Sequence, residues 1–189
     1  MKYKVRYRQN ILIPMRDGVT LSADLYMPDI SERFPAIIEY QPYRKDDVTR
    51  PLCEPRLRYL AENGYVGVFI DMRGSGSSGG VRERMMSKQE WEDGYDAVEW
   101  IADQDWCDGN VGMTGVSYGG YSTYMVAAEA PPSLKAIVPI YAGDDLYLDT
   151  HPGGNWQALN FGVGLYNGLQ LSLNCLPPLP DPDGRWLKV

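Results

Sequence analysis

The sequence predicts an α/β architecture, a mostly parallel sheet with helices on both faces, and three observations lead there. Short runs of nearly continuous apolar residues, Pro35–Tyr40, Tyr65–Asp71 and Leu134–Tyr141, have the character of strands covered on both sides. Segments of helical period lie between them, and strands that alternate with helices assemble into parallel sheets. The third observation is a junction: Gly115-Val116-Ser117-Tyr118-Gly119-Gly120 separates the β-capable run Asn110–Thr114 from the helix-capable run Tyr121–Ala130, which Pro131-Pro132 closes. A serine between glycines on such a strand-to-helix turn is held strained and exposed, the setting of a nucleophile elbow. Ser117 is therefore a candidate nucleophile.

The remaining elements follow in chain order. Ile11–Pro14 and Leu21–Tyr26 read as an opening antiparallel hairpin across a turn on Asp17-Gly18, the second strand alternating apolar with polar. Pro35–Tyr40 empties into the polar loop Gln41-Pro42-Tyr43-Arg44-Lys45-Asp46-Asp47. A helix is expected from about Pro55 to Asn63, with Pro55 in its first turn and Gly64 at the left-handed position after its end. Tyr65–Asp71 follows as a buried strand. Ser87 and Glu90 form a capping box for the next helix, whose apolar stripe is Trp91, Tyr95, Val98 and Ile101-Ala102. From Gly143 onward the character changes, with Gly153-Gly154, Trp156 and a proline cluster from Pro177 to Pro182. That tail reads as the start of a helical layer over the sheet, and the chain contains no internal repeat.

Composition bounds the function. With 189 residues and 44% hydrophobic content the chain has enough apolar surface for one real core. Its net charge of −7 argues against nucleic acid as a partner, because phosphate binding needs a basic face to displace counterions. Cys53, Cys107 and Cys175 are odd in number and lack metal-ligand spacing, which fits reduced thiols and a cytoplasmic location. No apolar run reaches membrane-spanning length, and the basic N-terminus lacks the apolar stretch of a signal peptide, so no membrane partner is expected.

Gly74-Ser75-Gly76-Ser77-Ser78-Gly79 competes as a dinucleotide-binding fingerprint. The fingerprint needs its last glycine to open a helix that presents its N-terminus to the pyrophosphate, whereas here the capped helix begins only near Ser87. A loop beside the catalytic site is the preferred reading, and neither cofactor nor metal is expected.

Five ordered motifs then carry a family resemblance: Asp17-Gly18-Val19-Thr20-Leu21, Pro42-Tyr43-Arg44-Lys45-Asp46, Asp71-Met72-Arg73-Gly74-Ser75-Gly76-Ser77-Ser78-Gly79, Trp106–Met113 and Gly115–Gly120. Together they resemble the α/β-hydrolases grouped as X-prolyl dipeptidyl-peptidases and cocaine-esterase-like acylases. The resemblance implies an α/β-hydrolase fold for residues 1–142 and the beginning of a helical cap insertion over 143–189. It implies that Ser117 is the nucleophile, and that the Tyr43 hydroxyl and the Tyr118 backbone N–H form the oxyanion hole. The substrate it implies is a small ester, amide or short peptide.

A serine also needs a base, ordinarily a histidine oriented by a carboxylate. His151 is the chain's one histidine, and the resemblance places it in the cap and the true acid and histidine beyond Val189. Asp144 and Asp145 are cleft-lining candidates whose simpler role is helix capping. The expectation is the front part of a longer serine hydrolase, inactive by itself, with an inactive α/β module as the alternative. Its last strand, near Tyr141, would lie at a free sheet edge open to pairing with a second copy in a homo-oligomer.

Overall fold

The computed structural model describes residues 2–145. Within them the chain runs β1 (Val5–Pro14), β2 (Thr20–Pro28), β3 (Phe34–Gln41), α1 (Arg50–Glu62), β4 (Val66–Asp71), α2 (Lys88–Ala102), β5 (Cys107–Val116), α3 (Tyr118–Ala128) and β6 (Leu134–Ile140). The sheet order is β1-β2-β4-β3-β5-β6. β1, β2 and β4 pair antiparallel, whereas β4, β3, β5 and β6 pair parallel.

Strand alternation decides which helix covers which face. Val66, Val68 and Ile70 of β4 join Ala36, Ile38 and Met113 of neighbouring strands against Ala97, Val98 and Ile101 of α2 and Val126 of α3. Phe69, pointing the other way, packs with Tyr26 against Cys53, Leu57 and Ala61 of α1. The helices therefore lie on both faces, as the alternation of elements predicts. The expected cap over 143–189 lies outside the described residues except for its first three positions.

Two local expectations, the starts of α1 and α3, are corrected. α1 begins at Arg50, because Pro51 occupies its first turn, and Pro55 lies inside the helix. Pro55 has no N–H for the carbonyl one turn before it, a loss the buried packing of Cys53, Leu57 and Ala61 outweighs. Gly64 does take the left-handed conformation, at φ +88°. The polar members of β2 do not face water: Ser22 and Asp24 are as buried as Leu21 and Leu25, because a polar network covers that face. The elbow helix α3 starts at Tyr118, three residues earlier than its helical run suggests, so the turn has no spacer between serine and helix.

The capping box is only half formed. Ser87 stands at the N-cap with extended φ −97° and ψ 158°, but its hydroxyl caps nothing. Glu90 instead turns inward, fully buried, and accepts the Met86 N–H at 3.1 Å.

Candidate active site

Ser117 follows directly on β5 and caps α3, with φ 57° and ψ −116°. No residue with a side chain rests comfortably there, and such strain persists only where the surrounding structure over-determines it. Two backbone hydrogen bonds do so: the Ser117 N–H donates to the Ile140 carbonyl at 2.9 Å, and the Ser117 carbonyl accepts the Tyr121 N–H at 3.0 Å. The strand thus folds back on its own helix. A Cβ on Gly115 would stand 2.5 Å from the Gly119 carbonyl carbon, and one on Gly120 would stand 2.9 Å from the Ile140 oxygen. Gly119, by contrast, has room for a methyl group, with Tyr40 O at 3.7 Å. The crowding that demands glycine falls on positions 115 and 120, not symmetrically about the serine.

The three sequence candidates converge. Ser117 lies at the carboxyl end of β5, and Tyr43 lies just past the carboxyl end of β3, its parallel neighbour. The Tyr43 ring meets the Tyr118 ring edge-on, with centroids 6.2 Å apart at 83°. The Tyr118 side chain is buried beneath the elbow, where its hydroxyl donates to Glu90 Oε2 at 2.7 Å. Burial first, and then the Glu90 charge and hydrogen bond, push the Tyr118 phenol well up, so it stays a donor. As the first residue of α3, Tyr118 carries one of the N–H groups that have no intrahelical acceptor, at the positive end of the helix dipole.

The loop behind Tyr43 is anchored by charges that its polar sequence does not advertise. Lys45 is 0% exposed; its ammonium meets Asp24 at 2.9 Å and Asp46 at 2.7 Å and donates to Asn10 Oδ1 at 2.7 Å. Arg44 is buried in a left-handed conformation, φ 68°, and pairs with Asp47. Asp71, at the end of β4, accepts the Lys45 N–H at 2.7 Å and the Ser77 N–H at 3.0 Å, tying the Tyr43 loop to the Gly74–Gly79 loop. Ser77 Oγ donates in turn to Asp46 at 2.6 Å. Gly76 sits at φ +51° with no space for a Cβ, which would fall on the Asp71 carboxylate. This cluster was missed in the sequence; the signal was four consecutive charges, Arg44–Asp47, separated by two residues from the end of a buried strand.

Burial pushes Asp71 up to about 7, against the pull of Lys45 and the two backbone donors. A folded-state value above the unfolded one makes a contribution to stability that is present in acid and lost as pH rises through the folded value. Thermal stability is therefore expected to fall as pH rises from about 4 to about 7 and to level off above that, and Asp71→Ala, if it folds, should remove that slope. A melting temperature flat over this range would contradict the assignment.

The Gly74–Gly79 loop opens no helix, since α2 starts at Lys88. Its N–H groups serve the protein itself: Gly74 donates to Gly79 O, Ser75 to Met72 O, Ser77 to Asp71, Ser78 to Ser75 O and Gly79 to Thr20 O. Five of the six N–H groups of the loop are thus taken by the protein's own acceptors and form no phosphate cradle. Among the described residues no group of His, Cys, Asp and Glu is disposed to hold a metal ion, and no helix is long and apolar enough to cross a membrane. Cys53 and Cys107 are buried free thiols; burial pushes Cys53 up to about 12, which makes it inert. Cys175, His151 and Trp156 lie outside the described residues.

Among the described residues, a six-stranded, mostly parallel sheet with helices on both faces and a strained serine elbow at the end of β5 defines an α/β-hydrolase fold. Residues 17–183 match the family described as X-Pro dipeptidyl-peptidase (S15 family), and the chain belongs to that family. It is 39% identical over 168 residues to the cocaine esterase of Rhodococcus sp. (strain MB1 Bresler), an alignment covering 82% of this chain and 29% of that protein. Among solved structures it is similar to a CocE/NonD family hydrolase from Staphylococcus aureus, with TM-score 0.65 and 33% identity over 71% of this chain and 27% of the other. It is also similar to an α-amino acid ester hydrolase, with TM-score 0.60 and 29% identity over 72% of this chain and 25% of the other. The chain thus spans less than a third of the length of these relatives.

Proposed function

We propose that this chain supplies the nucleophile and oxyanion hole of a serine hydrolase that cleaves an ester or amide, of the X-prolyl peptide or acyl ester type. The observation that carries the reading is the strained Ser117 at the end of β5, with Tyr43 packed against the very residue whose N–H follows the serine. In the reaction Ser117 Oγ attacks the carbonyl carbon as its proton passes to a general base. The carbonyl oxygen, now negative, accepts hydrogen bonds from the Tyr43 hydroxyl and the Tyr118 N–H. Collapse expels the alcohol or amine with the base's proton and leaves an acyl-enzyme, which water hydrolyses by the same steps to regenerate Ser117. Names such as cocaine esterase and Xaa-Pro dipeptidyl-peptidase among the relatives support an acyl substrate.

The base and its orienting carboxylate are proposed to come from beyond residue 189, in the length of the relatives that this chain does not span. Without them an oxyanion hole and binding alone give roughly 10³- to 10⁴-fold acceleration over water. The 189-residue chain should accordingly turn over p-nitrophenyl acetate barely, and a protein extended through the downstream acid and histidine rapidly. Efficient hydrolysis by the shorter chain, lost on His151→Ala, would instead make His151 the base.

A further inference from the structure

The two proposed oxyanion donors stand on different elements, Tyr43 on the loop after β3 and Tyr118 at the start of α3. Something must hold them in register, since a donor displaced by about 1 Å no longer meets the developing charge. The Tyr118 ring meets the Tyr43 ring edge-on, and its far end is fixed by a small closed ring of hydrogen bonds. Tyr118 donates to Glu90 Oε2 at 2.7 Å; the Met86 N–H is shared between Tyr118 Oη at 2.9 Å and Glu90 Oε2 at 3.1 Å. Met86 reaches this position with φ 53°, a strained conformation for a residue with a side chain. Tyr40, on the strand that leads to Tyr43, donates its hydroxyl to the Glu90 carbonyl at 3.1 Å. Glu90 itself is 0% exposed. Its second oxygen, Oε1, has no hydrogen-bond partner and faces Arg82 Nε at 3.8 Å. Helix capping accounts for a carboxylate so placed only in part: Glu90 meets the Ser87 backbone, but the Ser87 hydroxyl takes no reciprocal part.

We propose that Glu90 is a positioning residue for the oxyanion hole, holding Tyr118 so that its N–H and the Tyr43 hydroxyl face one carbonyl oxygen. The proposal rests on the reading of Ser117, Tyr43 and Tyr118 given above. Glu90 touches no substrate and acts through the Tyr118 phenol. Its loss should therefore reduce the chemical step and not substrate capture.

The test uses the full-length enzyme and p-nitrophenyl acetate, with kcat and KM measured for Tyr118→Phe, Glu90→Ala, Glu90→Gln and the double variant Tyr118→Phe/Glu90→Ala. Tyr118→Phe keeps the ring against Tyr43 and the backbone N–H and removes only the hydroxyl. It should lower kcat about tenfold with KM within about twofold. Glu90→Ala should lose as much, the double variant should lose no more than either single one, and Glu90→Gln, which retains an acceptor for the phenol, should recover most of the activity. Wild-type kcat in Tyr118→Phe overturns the proposal even if Glu90→Ala fails to fold. Losses that multiply in the double variant overturn it too. Ser117→Ala is run alongside: retention of activity there would overturn the reading of the site itself, a result distinct from either of the others.

Discussion

On the proposed mechanism, Ser117→Ala in a protein extended to the length of the relatives is expected to lower kcat by roughly 10⁵- to 10⁶-fold, because acyl transfer would lose its nucleophile and keep only binding and the oxyanion donors. Ser117→Gly should abolish turnover equally and, in addition, raise stability by about 1–2 kcal/mol. The reason is backbone strain: φ 57° with ψ −116° costs a serine on that order, and glycine adopts it freely. The Ser117 side chain makes no capping hydrogen bond that glycine would forfeit. Paired melting curves and turnover measurements check both halves. A glycine variant no more stable than the alanine one would mean that the elbow is not strained in solution.

Tyr43→Phe carries the second largest expected effect, a fall in kcat of about 10²- to 10³-fold, the cost of removing one preorganised donor from a developing oxyanion. The substitution leaves the edge-on contact with Tyr118 in place, so KM and the melting temperature should change little. An acyl-enzyme burst followed with a chromogenic ester separates this from a defect in later hydrolysis. A variant that keeps kcat within about threefold of wild type would assign the second donor to some other group.

The part of the site that was legible in the sequence is the part set by local rules. Crowding at a strand-to-helix turn can be met only by small residues, so Gly115 and Gly120 announce the elbow at any fold-level address. Buried parallel strands are equally plain, because a strand such as Val66–Asp71 must be apolar on both faces. What stayed hidden depends on partners distant in the chain. Arg44–Asp47 reads as a solvated loop until β2 and β4 bring Asp24 and Asp71 around Lys45, a long-range arrangement with no period or spacing to betray it. Ser87 and Glu90 have the spacing of a capping box, yet a phenol from residue 118 shares the carboxylate and the Ser87 hydroxyl caps nothing. The start of α1 misled for a simpler reason: two prolines four residues apart both suit a first turn, and only the upstream one occupies it.

The order of strands in the sheet differs from their order in the chain, and that difference has a bearing on synthesis. Residues 5–71 contain β1, β2, β3 and β4, which are contiguous in space as β1-β2-β4-β3. A ribosome that has released only this stretch has already delivered every strand on one side of β3, together with Lys45, Asp24 and Asp71. Apart from the Ser77 contacts, the platform on which the Tyr43 loop rests can thus be in place while the open edge of β3 still waits for β5, some 36 residues later in the chain. The strand that leads to Ser117 docks onto a finished anvil: the side of the sheet that carries the Tyr43 loop is framed first, and Ser117 is set against it once β6 follows with Ile140.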